Sequence, residues 1–215
     1  MVQYITAISV VIAALSFVAG ISAWKREFVG KRRIELAESV LALFYEAEDA
    51  IREIRSPFAG LDEGKTRQRG QNESEEVSSL LDQAYVVFER YQKREQLFSQ
   101  LKATRYRFMA AFGADASKPW GELDGAVRKI LVAARMLGTY YWPRQGRVAM
   151  SEDEFKRHLE EMHRHEAVFW SVGDDEIAES VHAAISQVEE ITTRAMTPRR
   201  RHWYEPRTWS AGGGS

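Results

Sequence analysis

Four residues of the segment Ser151–Phe169 have the types and spacing of metal ligands. Glu154, His158, Glu161 and His165 step by four, three and four, so a helix would place them on one face. Imidazole and carboxylate groups set out this way can hold a divalent cation, with the missing ligands supplied by a second helix. The chain carries no second cluster of that kind, and the His-Glu-x-x-His pattern of metalloproteases is absent. The plainer reading is a polar border beside an apolar stripe of Phe155, Leu159, Met162 and Phe169. No cofactor is expected. There are no cysteines, which excludes disulfides, thiolate zinc sites and thiol nucleophiles.

The same segment holds an arginine and a histidine that can act together. Arg157-His158-Leu159-Glu160-Glu161-Met162-His163 resembles the Arg-x(4–6)-His motif of the HEPN superfamily. The resemblance covers seven residues. It implies an all-α, often dimeric protein of a group rich in ribonucleases, with Arg157 and His163 as the catalytic pair. On an unbroken helix, six residues put the two side chains roughly 120° apart. Neither a glycine-rich phosphate loop nor a Gly-x-Ser-x-Gly elbow is present. The chain therefore reads more as a binding protein than as an enzyme.

A third pattern lies at the N-terminus. Residues 2–23 contain no charged side chain. A membrane-spanning helix needs about 20 such residues, so the expectation is a transmembrane anchor over 1–23, with the lipid bilayer as a partner. Lys25, Arg26, Lys31, Arg32 and Arg33 follow it as basic residues for the membrane interface. By the positive-inside rule they place the N-terminus outside and the bulk of the chain in the cytoplasm. Within the run, Thr6, Ser9, Ala13, Ser16, Gly20 and Ala23 step by three and four along one seam. Small residues on one seam let helix backbones approach closely, so this seam is the expected oligomerisation surface. A ring of such helices would be a pore, though its lining lacks a charged ring.

The elements positioning these residues are all helical by periodicity. Leu36, Val40, Leu43, Phe44, Ala47, Ile51 and Ile54 recur at helical steps, and Pro57 ends that run. No strong breaker precedes it, so anchor and first bundle helix should be one rod. Residues 57–73 read as a mobile loop. A single helix is expected from about residue 72 or 74 to Phe112, stopped by Gly113. Another follows from about Ser117, with Pro119 in its first turn, and ends at Pro143. Ser151 and Glu154 form a capping box for the next. Ile177, Val181, Ile185, Val188 and Ile191 mark the last.

The expected architecture is all-α: a single N-terminal transmembrane helix continuing into a cytoplasmic antiparallel helical bundle over 24–196. Residues 197–215 read as a basic aromatic tail ending in an added glycine-rich linker. Arg199, Arg200, Arg201 and Trp203 are its candidates for binding acidic surfaces. Net charge is −1, with residues 24–33 at +4 and 194–215 at +4, leaving −9 for 34–193. An acidic body argues against nucleic acid as a partner. The expected function is membrane-anchored assembly: a homo-oligomer that recruits or senses a cytoplasmic protein. The alternative is an oligomeric effector or pore that uses the histidine helix.

Overall fold

The computed structural model describes residues 2–197 except 61 and 174, and the side chains of residues 2–11 also lie outside the description. The described residues form a helical bundle of α1 (Val2–Ile54), α2 (Glu75–Lys93), α3 (Glu95–Phe112), α4 (Lys118–Met136), α5 (Glu152–Phe169) and α6 (Glu176–Met196). A π-helical turn, Leu137–Tyr141, and one further turn, Trp142–Arg144, extend α4. α1 is one continuous helix, as the absence of a strong breaker implied.

The bundle closes around α4 and the C-terminal part of α1. α4 packs on α2, α5 and α6, while α1 packs chiefly on α3 and α6. The buried stripe of α1 begins at Ala37 and continues through Val40, Phe44, Ala47, Ile51 and Ile54. Trp120 of α4 joins three helices. Its ring stands edge-on to Phe44 at 4.9 Å and against Phe108 at 5.2 Å. Its indole N–H donates to the Leu101 carbonyl at 2.7 Å, so no polar group is stranded there.

Helix ends follow local chemistry. Ser151 and Glu154 form the reciprocal capping box of α5. Asp175 caps α6 by accepting from the backbone N–H groups of Ile177 and Ala178. The expected single helix from about 72 to 112 is two helices, breaking at Arg94. There the backbone leaves helical geometry and the guanidinium pairs with Glu53 of α1.

Residues 57–73 contain no helix or strand among the described residues, yet they carry a network of ion pairs. Arg67 forks onto Glu73 at 2.9 and 2.6 Å and also reaches Asp82 at 3.0 Å. Buried Arg90 donates to the carbonyls of Ser56 and Phe58 and to Glu63. Gly64 sits at φ +85°, with its absent Cβ only 2.0 Å from the Asp82 carbonyl oxygen. No other residue fits there.

The expectation of a single-pass membrane protein, N-terminus outside and bulk cytoplasmic, is corrected. Among the described residues no helix is long and apolar enough to cross a membrane. After Trp24 the helix turns charged, with Lys25, Arg26 and Glu27 in succession. The transmembrane part of the expected fold, and the interfacial role given to the five basic residues, lose their basis with it. Arg32 instead lies over the Phe28 ring at 4.8 Å and Arg33 over Phe112 at 4.9 Å.

Candidate functional sites

Two places in the fold gather residues not used by the core. The first is the N-terminal half of α1. From Ile12 to Val29 its large apolar side chains are exposed, Phe17 to 71% and Leu15 to 66%. Ala13, Ser16, Gly20 and Ala23 are exposed as well, and a Cβ built on Gly20 or Gly30 meets nothing within 4 Å. The seam therefore faces no other part of the described chain. Its first two members, Thr6 and Ser9, lie outside the described side chains. At the root of this arm Phe28, Arg32, Arg33, Leu36 and Arg107 border an open groove of about 910 Å³. The tail residues Arg199, Arg200, Arg201 and Trp203 lie outside the described residues.

The second place is a cleft of about 310 Å³ where the π-helical turn faces α5. Its existence begins with Gly138. A Cβ there would lie 2.5 Å from the Ala84 Cβ, so only glycine lets the end of α4 approach α2 this closely. The wider π turn carries Tyr140 and Tyr141 past that contact, and π turns recur at functional sites. Tyr141 is buried and leans on two imidazoles, 5.4 Å from the His158 ring and 5.1 Å from that of His165. Burial is the main cause that raises its phenol above the usual range. Burial likewise pushes His165 below the ordinary histidine value, against the opposing pull of Glu161.

These contacts set the phase of α5, and the phase differs from the sequence expectation. His158, Met162 and Phe169 are buried, while Phe155 is 42% exposed. The inward stripe runs through histidines because Tyr141 offers them an aromatic partner. The periodicity of apolar residues alone misses this.

The metal candidates are accordingly scattered in role. Glu154 accepts from the Ser151 N–H and hydroxyl, both at 2.9 Å. Those bonds hold its carboxyl below the usual range. Both oxygens of Glu161 accept from Arg164, at 2.8 and 3.0 Å. Among the described residues no group of three or more His, Asp or Glu can hold a metal ion. Arg157 borders the cleft and His163 does not. α5 is unbroken between them, so the six-residue separation keeps them on different faces.

Sequence reasoning passed over three features of the cleft. His158 is 7% exposed, and its Nε2 has no hydrogen-bond partner. The Arg144 Nε is also buried without a partner, and its guanidinium lies over the Tyr140 ring at 4.5 Å. Among the described residues Arg157 makes no ion pair. A second signal existed in the sequence, the adjacent Tyr140-Tyr141-Trp142-Pro143, which is an unusual density of aromatics at a helix end.

No protein-family model matches this chain, and neither a curated protein nor a solved structure matches it.

Proposed function

We propose that this chain is an assembly and interaction module that self-associates through the N-terminal half of α1 and gathers its helical bundles to recruit or sense a protein partner. The observation that supports this reading is the exposed apolar arm. Ile12, Leu15, Phe17, Val18, Ile21 and Trp24 all stand open on the stretch of α1 that lies N-terminal to its packed part. Contiguous exposed apolar surface of this kind marks an interaction site, and burying it is worth about 25 cal/mol per Å². The favoured occupant is a second copy. The exposed seam of Ala13, Ser16, Gly20 and Ala23 lets two identical helices approach backbone to backbone. Large side chains beside it, Phe17 and Ile21 among them, would close over the contact.

The absence of cysteine makes the test clean. Ser16→Cys places a thiol on the seam. Ala14→Cys places one about 160° round the helix. Oxidative crosslinking of the full chain in expressing cells should give a disulfide-linked dimer with Ser16→Cys and little with Ala14→Cys. Adding Gly20→Leu should suppress the Ser16→Cys product. Equal crosslinking at both positions, or none at either, refutes association through this seam.

A further inference from the structure

We propose that the cleft between the π-helical turn and α5 binds a small organic anion with a planar ring, held by the guanidiniums of Arg144 and Arg157. The argument starts from which charges are already satisfied. Two carboxylates border the cleft, and both are engaged. Glu154 is bound to the Ser151 backbone and hydroxyl, and Glu161 takes both its bonds from Arg164. Two guanidiniums border it, and neither has a carboxylate partner among the described residues. Glu154 keeps its charge and feels that of Arg157, but Arg164 neutralises Glu161, so the two guanidiniums leave one positive charge in excess at the cleft. Guanidinium is the side chain best matched to planar carboxylate and to phosphate.

The rest of the lining suits an aromatic body. Tyr140 and Tyr141 border it with aromatic carbon, and Met150 adds a polarizable thioether. Arg144 already rests on the Tyr140 ring, which orients its fork and limits the freedom lost on binding. Buried polar atoms without partners are rare and call for a reason. Here two residues that border one cleft each carry such an atom, His158 Nε2 and Arg144 Nε. A volume of about 310 Å³ sits at the small end of ligand pockets. The site is independent of the arm, which lies at the other end of α1 from the residues that pack near α5.

The test is calorimetric titration of the full chain with four probes: naphthoate, naphthyl phosphate, naphthol and inorganic phosphate. The two ring-bearing anions should bind saturably. Naphthol and inorganic phosphate should each bind at least about tenfold more weakly. Arg157→Ala should weaken the ring-bearing anions about tenfold or more, and Arg157→Lys should restore part of that loss. Arg157 is exposed, so both variants should keep the circular dichroism of the parent. His163→Ala, on another face of α5, should bind like the parent. The ring signals of His158 should shift in NMR spectra on saturation. No saturable binding of either ring-bearing anion overturns the proposal. So does naphthol binding as tightly as naphthoate, or phosphate binding as tightly as naphthyl phosphate. Affinity unchanged in Arg157→Ala also overturns it.

Discussion

Replacing Arg55, the residue that follows α1, should destabilise the bundle strongly. Arg55 is 1% exposed. Its Nη1 and Nη2 fork onto Asp175 at 2.9 and 2.8 Å. Its remaining donors reach the carbonyls of Val168, Ala167 and Trp170 at 2.8 to 2.9 Å. Those are orphan carbonyls at the C-terminus of α5, while Asp175 caps the N-terminus of α6. The Arg55 carbonyl in turn accepts from Ser171 at 2.9 Å. One side chain thus ties three helix ends together. Arg55→Met keeps the apolar stem but strands three carbonyls at about 1 kcal/mol each. Losing the ion pair adds about 1 kcal/mol more, for a total of about 4 kcal/mol, within the range for breaking a buried pair. Asp175→Asn retains the cap and one acceptor for the guanidinium, and the site is partly open to solvent, so it should cost about 2 kcal/mol. Urea unfolding followed by circular dichroism measures both, and a double-mutant cycle should return a coupling of about 1 kcal/mol or more. A loss below about 1 kcal/mol in Arg55→Met would refute the assignment of these bonds as a clamp.

Gly138→Ala should destabilise the bundle by about 1–3 kcal/mol, because the new methyl meets the Ala84 Cβ on a rigid helix. Ala84→Gly in the same chain should recover part of that loss, and unfolding midpoints that fail to recover would place the strain elsewhere. Acid should weaken the fold. Paired with Arg67, Glu73 is lowered to about 2. Glu63 is lowered by its bond from Arg90. Burial pushes Asp175 up, but Arg55 and two backbone N–H groups outweigh it and the net shift is down. Carboxylates lowered in the native state add stability that is fully present above their unfolded values, near 4. That stability is lost as pH falls through the native ones, from about 5 toward 2. Urea midpoints should therefore drop across that window and drop less in Glu73→Gln. A midpoint independent of pH there would contradict the ion-pair network.

Much of the helix pattern was legible because it rests on local chemistry. The continuous α1, the capping box at Ser151 and the start of α4 at Pro119 all follow from residues within one turn of the feature. What escaped depends on distant partners. Arg94 and its neighbours contain no helix breaker, and the break coincides with a pair to Glu53, far away in sequence. The π turn coincides with a close approach between Gly138 and Ala84, which are far apart in sequence. Arg55 reads as a charged residue at a helix end, and only the meeting of α1, α5 and α6 makes it buried. The phase of α5 failed for a related reason. Periodicity ranks Phe155 above His158 for burial, but Tyr141 provides a partner that reverses the order. Of the two candidate sites, the seam was visible as a sequence pattern, whereas the cleft needed the fold.

The arm poses a question that the bundle does not answer. Among the described side chains the fully buried positions of α1 start at Ala37, and Arg33 over Phe112 is an early tertiary contact before it. The core is complete without the residues N-terminal to these. Within the arm the described aromatic contacts are local: Trp24 stacks on Phe28 at 5.7 Å, and Arg32 covers the same ring. Such contacts add a few tenths of a kcal/mol to a helix. Most helical stability in proteins comes from packing an apolar face against something else. A 53-residue helix, about 80 Å long, therefore carries far more apolar side chain than its own bundle uses. The bundle accounts for the C-terminal part of that length. The proposed self-association would account for the rest, with the small-residue seam as the face on which an identical helix would fit.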